Sequence, residues 1–246
     1  MLRKLLLALL AVLMGLYALW AAAQSSRGPF WDLANTQQAG QFVFYDMPAG
    51  ASTTGKPLDI GDFDGDGCGD IAVTGQNAAH GLGTWRGSAG HVRIIMNLCH
   101  IEGHISIEEG VDPQNFFTIY GAFSGDMAGT ETYVADFNAD GYDDLLFSAQ
   151  NSDTPDQSHS NAGAAYVLFG SSDFAQQGDI DLLELPDRVM ALYGASAEDR
   201  FGLWVEGGDF DGDGYDDLLI GATQADGVND ARINSGEVWI VLARRT

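Results

Sequence analysis

Asp209-Phe210-Asp211-Gly212-Asp213-Gly214-Tyr215-Asp216-Asp217 puts carboxylates at positions one, three, five and nine of a nine-residue stretch, with Asp216 beside them. Charges this close repel one another unless a cation sits among them. Alternate positions point to one side, and the glycines let the chain turn sharply enough to wrap a hard, oxygen-seeking ion. No His or Cys recurs with the pattern to favour a softer metal, so calcium is the expected ion. The pattern occurs twice more, as Asp62-Phe63-Asp64-Gly65-Asp66-Gly67-Cys68-Gly69-Asp70 and as Asp136-Phe137-Asn138-Ala139-Asp140-Gly141-Tyr142-Asp143-Asp144. The first residues of the three copies lie 74 and then 73 positions apart. A spacing this regular marks a structural repeat, with about three ions expected per chain.

The periodicity extends outward from the loops. A Gly stands seven residues before each first Asp, at Gly55, Gly129 and Gly202. Before it comes a run closed by Tyr: Phe42-Val43-Phe44-Tyr45, Phe117-Thr118-Ile119-Tyr120 and Ala191-Leu192-Tyr193. Each loop leads into an apolar run, at 70–74, 144–148 and 217–221. A second β-rich run then opens on Gly90, Gly163 or Gly236. Each unit therefore predicts about four short strands and almost no helix, apart from a turn near 181–187. Position twelve counted from the first Asp is Val73, Phe147 or Ile220, inside a strand pattern. An EF-hand needs an acid there and a helix after it, so the loops are not EF-hands.

These features resemble the FG-GAP repeat, found in integrin α-chain β-propellers and in many secreted bacterial proteins. Repeat three carries the likeness best, with Phe201-Gly202 ahead of the acidic loop and Gly221-Ala222-Thr223 after it. Repeats one and two keep the loop and depart elsewhere, with Thr54-Gly55 and Ala128-Gly129 in place of Phe-Gly. The resemblance implies an all-β, propeller-like array of three blades, each of four short antiparallel strands. It implies calcium held by the side chains at positions one, three, five and nine and by the carbonyl at position seven. These are Asp62, Asp64, Asp66, Asp70 and the carbonyl of Cys68; Asp136, Asn138, Asp140, Asp144 and the carbonyl of Tyr142; and Asp209, Asp211, Asp213, Asp217 and the carbonyl of Tyr215. Asn138 removes one formal charge, so the second site is expected to be weaker. If a blade begins at the Gly-led strand, repeat three lacks its outermost strand and the N-terminus has one to spare. Three blades are too few for a comfortable ring, which leaves N-terminal strand exchange, dimerisation or an open arc.

The expected organisation is a signal peptide over 1–23, a linker over 24–40 and the repeat domain over 41–246, with repeats at about 41–100, 115–170 and 188–246. Arg3 and Lys4 precede an apolar stretch ending in Ala21-Ala22-Ala23, which reads as a cleavable secretory signal. An uncleaved membrane anchor is the alternative. The net charge of −24 comes from 35 acids against 11 Lys and Arg. It disfavours nucleic acid, whose phosphates need basic partners. Cys68 and Cys99 are the only cysteines, and the predicted pairing of their strands puts them within reach of a disulfide, as export would allow.

Other candidates are weaker. His80–Ser88, Asn151–Asn161 and Gln224–Ser235 differ most between repeats, and Trp85-Arg86 is the best candidate partner contact. Asp156-Gln157-Ser158-His159-Ser160 imitates a metal-dependent adhesion motif but reads as a solvated loop. His100, Glu102 and His104 have no evident third ligand and no helix to align them. No nucleophile elbow or phosphate loop occurs. The expected function is an exported calcium-binding module, secreted, periplasmic or on the cell surface, that binds a protein or glycan, with a homodimer as one form. The alternative is a hydrolase or hydrolase-accessory propeller acting on phosphodiesters or glycans.

Overall fold

The computed structural model describes residues 43–46, 57–79, 81–100, 104–107, 116–227, 229 and 231–243. The expected signal and linker segments, Gly55 and Glu102 lie outside these residues.

Fourteen strands are described, in four sheets. Blade one contains β2 (Leu58–Gly61), β3 (Asp70–Thr74), β4 (His91–Ile95) and β6 (Phe116–Tyr120), each antiparallel to the next. Blade two repeats the plan with β7 (Ala128–Ala135), β8 (Asp144–Ala149), β9 (Ala164–Leu168) and β11 (Val189–Tyr193). Blade three has β12 (Phe201–Gly208), β13 (Asp217–Ala222) and β14 (Glu237–Val241). The blades therefore begin at the Gly-led strand, and the Tyr-ended run of each repeat completes the blade before it.

Two features depart from four strands per blade. Blade one gains a fifth member, β10 (Ile180–Asp181), which lies parallel to β6 with Ile180 opposite Ile119 and Asp181 opposite Tyr120. This strap comes from the segment that joins β9 to β11 in the next repeat. Phe174, in the same segment, packs against Phe63 at 5.2 Å and Phe117 at 5.4 Å between ring centroids. A short 3-10 turn, Leu182–Glu184, follows the strap where the sequence suggested a turn. Blade three, in contrast, has three strands, and among the described residues nothing pairs with the outer edge of β14. The N-terminal strand β1 (Val43–Asp46) does not fill that edge, as in-chain strand exchange would require. It lies parallel to β5 (His104–Ile107), with Tyr45 opposite Ser106.

The core lies between the blades. Leu145 and Phe147 of β8 join the cluster that contains Val92, Ile94 and Phe117 of blade one. Leu146, between them, joins Val205, Leu218 and Ile220 of blade three. Because successive side chains point to opposite faces and both faces are covered, β8 is apolar almost throughout rather than alternating. The blades also approach at backbone level. Gly90 bridges Ala128, and Gly163 bridges Phe201. A Cβ on either Gly would stand 2.2 or 2.1 Å from the facing carbonyl oxygen, so only Gly fits.

Candidate metal centre

Each acidic loop joins the first and second strands of its blade, so all three lie at the same end of their blades' strands. The turn is made at positions four and six, which are left-handed in every copy. The residues are Gly65 and Gly67, Ala139 and Gly141, and Gly212 and Gly214. Glycine adopts this conformation freely, whereas Ala139 carries a Cβ there at a cost of about 1 kcal/mol.

The carboxylates hold their own loops. The position-one Asp accepts from the N–H of position six: Gly67 to Asp62 at 3.0 Å, Gly141 to Asp136 at 2.9 Å, Gly214 to Asp209 at 3.0 Å. Position five accepts from position seven, Cys68 to Asp66 at 2.7 Å, and Tyr142 to Asp140 and Tyr215 to Asp213 at 3.0 Å. Position nine is fully buried in every copy, as Asp70, Asp144 and Asp217. One of its oxygens accepts from the position-two N–H, as from Phe137 at 2.9 Å. The other accepts from a residue just beyond the third strand: Asn97, Gly170 or Ala243, at 2.8 Å each.

Ligand-capable oxygens of Asp62, Asp64 and Asp70 all lie within 4.8 Å of one another, as do those of Asp209, Asp211 and Asp217. Positions one, three and nine are thus brought together, while Asp66 and Asp213 fall outside these groups. In loop two Asn138 replaces the position-three acid, and its amide donates to Asp140 at 3.0 Å. Burial pushes the Asp70 carboxyl up to about 6 and that of Asp144 to about 7, opposed by the N–H donors on each. Asp64 is also raised, first by burial and then by the neighbouring Asp66 and Asp62. Asp62 Oδ1 is buried with no hydrogen-bond donor. No Lys or Arg occurs in any of the loops. An all-oxygen donor set with an orphaned carboxylate oxygen and no basic neighbour fits a hard divalent cation.

Loops one and two also touch. The Asp62 N–H donates to Asp143 Oδ2 at 2.7 Å, and the Asp143 N–H donates to the Asp62 carbonyl at 3.2 Å. Cys68 and Cys99 form a disulfide with Cα atoms 5.6 Å apart, so Cys68 can offer a cation only its carbonyl. Sequence reasoning found the loops but missed the role of Asp143, which no local pattern marks.

The remaining candidates resolve differently. Arg86 is not a free contact residue: it makes a two-pronged ion pair with Asp181 at 2.6 and 2.8 Å and also donates to the Gly121 carbonyl. Trp85 beside it is 72% exposed. Asp156 is exposed and accepts from Thr154 and Ser158, which closes a surface turn and holds its carboxyl down at about 2. His100 and His104 flank residues 101–103, which are not described. A cleft of about 830 Å³ lies beside blade three, lined in part by Ser196, Asp199, Asp226 and Arg232. Among the described residues, no helix is long and apolar enough to cross a membrane.

Two stretches, 128–168 and 201–241, match the family model of the FG-GAP repeat. Each match runs from the first strand of a blade through its acidic loop to the third strand. Blades two and three thus each carry an FG-GAP repeat, and the chain is similar to integrin α-chains. Integrin alpha-PS2 of Drosophila melanogaster is 29% identical over 174 residues, 70% of this chain and 10% of that protein. Integrin alpha pat-2 of Caenorhabditis elegans is 26% identical over 223 residues, 85% of this chain and 15% of that one. Phosphatidylinositol-glycan-specific phospholipase D of Dictyostelium discoideum is 30% identical over 138 residues, 53% of this chain and 14% of that protein. The chain thus spans less than a sixth of the length of any of these three relatives.

Proposed function

We propose that this chain is an exported, calcium-stabilised binding module whose loops recognise a protein or glycan. The observation that carries the reading is the pair of three-carboxylate groups, Asp62/Asp64/Asp70 and Asp209/Asp211/Asp217, each anchored by a fully buried aspartate. Positions one, three, five and nine with the position-seven carbonyl would hold one calcium per loop. Loop two, with Asn138, would be the weakest of three. The ion supplies charge neutralisation, and the loop then keeps the two strands it joins in register. The variable loops at the opposite end of the blades supply the contact surface. The similarity to integrin α-chains supports binding rather than catalysis, and the apolar stretch before Ala21-Ala22-Ala23 supports export.

Calorimetric melting with 2 mM calcium and with chelator tests this. If each site binds with a Kd of about 10⁻⁴ M, each contributes roughly 1.8 kcal/mol at that calcium concentration. Equal melting temperatures in the two buffers would refute the calcium reading. The phospholipase relative favours one second reading, an accessory or catalytic role on phosphodiesters. Turnover of a phosphodiester substrate by the purified chain would support it.

A further inference from the structure

Two partial sheets in this molecule add up to one whole sheet. Blade one has the strand order β10-β6-β4-β3-β2: a strap, an outer strand and three inner strands. Among the described residues, blade three supplies the three inner strands, β12-β13-β14, and the N-terminal pair supplies two strands, β1 and β5. The pair matches the strap and outer strand of blade one in sequence phase, direction and register. The β10–β6 pair is parallel and sets Asp181 opposite Tyr120, the last residue of a Tyr-ended run. The β5–β1 pair is also parallel and sets Ser106 opposite Tyr45, again the Tyr of such a run. Like β10, β5 comes from the segment that follows the third strand of its own repeat. Among the described residues, the β1–β5 ribbon thus matches the outer part of a blade, and blade three matches the inner part of one.

We propose that these parts are exchanged between two copies of this chain: β1 and β5 of each copy complete blade three of the other, giving a six-bladed ring. The joined sheet has the order β5-β1-β14-β13-β12. Its register follows from the two complete blades, where the residue after the strand-opening Gly faces the terminal Tyr: His91 opposite Tyr120, and Ala164 opposite Tyr193. The residue after Gly236 is Glu237, so Glu237 faces Tyr45 and Val238 faces Phe44.

The exposed faces carry the same message. Val92 and Ile94 of blade one are fully buried against blade two, and Ala165 and Val167 of blade two are fully buried against blade three. Their counterparts in blade three, Val238 and Ile240, are 67% and 52% exposed, with Trp204 beside them at 62%. At the other end, Leu58 and Ile60 of β2 are 50% and 61% exposed. Their register partners Val73 and Ile71 lie on the side of blade one that faces away from blade two. Thr132 and Val134, the counterparts of Leu58 and Ile60 in blade two, face blade one. Each end of the array therefore shows one half of the inter-blade interface used twice inside it. Gly236 keeps the left-handed backbone of Gly90 and Gly163, yet a Cβ there would meet nothing closer than 3.5 Å, with no described residue packed on it as Ala128 and Phe201 are on the other two. The three described blades are too few to close a ring by themselves, since propellers have about four or more. A second copy supplies three. One residue departs from the pattern: Asp46 follows Tyr45 where Gly121 and Gly194 follow the other two, with a Cβ position 2.0 and 2.1 Å from a facing carbonyl. The joined pairing accordingly ends at Tyr45.

Native mass spectrometry of the purified full chain in calcium buffer, together with a cross-linking pair, tests the proposal. Directly opposed residues in an antiparallel pair lie about 4.5–5.5 Å apart, within disulfide reach. The double variant Phe44→Cys/Val238→Cys is expected to give a covalent dimer on oxidation, and the register-shifted pair Phe44→Cys/Glu237→Cys at least tenfold less. The double variant Val238→Asp/Ile240→Asp, at already exposed positions, is expected to be monomeric with an unchanged circular dichroism spectrum. Three results would overturn the proposal: a wild-type monomer at micromolar concentration, a Phe44→Cys/Val238→Cys bridge formed within one chain, or a dimer that survives Val238→Asp/Ile240→Asp. The position of the bridge, unlike the strength of association, does not depend on whether the loops hold calcium.

Discussion

Asp144 sits at a loop position expected to touch a cation, and it is also the only acceptor shown for two buried N–H groups, those of Phe137 and Gly170. Removing it strands both donors, whether or not metal is present. Asp144→Ala should therefore cost roughly 2–4 kcal/mol in chelator. Asn138→Ala, in the exposed part of the same loop, should cost under about 0.5 kcal/mol in chelator and show its effect only as weaker calcium binding. Denaturant melts of both variants with and without calcium separate the two roles. Asp126 makes a second residue-scale case, away from the loops. It is buried, accepts from the Phe123 N–H at 3.0 Å, and its carboxyl is raised to about 7 by burial first and by Asp153 among its neighbours, against Arg86. A raised carboxylate pKa favours the protonated folded form. Its contribution is fully present below the unfolded value near 3.8 and is lost as pH rises through about 7. Asp126→Asn, which stays neutral, should gain roughly 2 kcal/mol relative to the wild type between pH 5 and pH 8, read from melts in chelator. Such double duties are invisible in the sequence. The spacing of Asp136, Asn138, Asp140 and Asp144 marks a cation loop. Nothing in it says that the last member also reaches Gly170, 26 residues on.

At the scale of elements, the strap β10 is held by more than its two ladder positions. The Arg86–Asp181 pair fastens it from the loop before β4, and the side chains are only 12% and 13% exposed. The Asp181 contact raises the Arg86 guanidinium above its ordinary value, through the hydrogen bond first and charge second, with burial opposing. Arg86→Ala leaves a nearly buried carboxylate unpaired and should cost roughly 3 kcal/mol. The double variant Arg86→Ala/Asp181→Ala should cost clearly less than the sum of the two single changes, which a double-mutant cycle in urea would read. Arg86 was expected to face a partner because Trp-Arg in a variable loop is contact chemistry. Its real partner lies 95 positions away in the chain, beyond any local signal. The strands themselves were legible, because Gly-led and Tyr-ended runs recur at fixed offsets from each loop. Even the phase of the blades could be stated as one of the readings. The fifth member of blade one could not, since Ile180 and Asp181 make a strand of two residues, too short for alternation to register.

For the whole molecule, charge and association oppose each other. Each chain carries a net −24, and 13 of its 35 acids lie in the three loops. Two such chains repel across distances near the Debye length of about 8 Å at physiological salt. Filling the loops with divalent ions and adding salt should both strengthen association. Sedimentation velocity is expected to show at least a tenfold lower dimer Kd in calcium at 0.3 M salt than in chelator at 0.02 M salt. An unchanged Kd would mean that the joining faces lie outside the reach of this field.

The strap has a further consequence, for the order in which the chain can fold during synthesis. Blade one opens at Leu58, but its outermost member ends at Asp181, after most of blade two has left the ribosome. Until then Phe63 and Phe117 wait for Phe174. A nascent chain holding only the first repeat is therefore an unfinished sheet with a bare apolar side and an open edge, the form most prone to pair with a neighbour. Adjacent repeats mature together rather than one after another, and long-range closure of this kind makes folding slow.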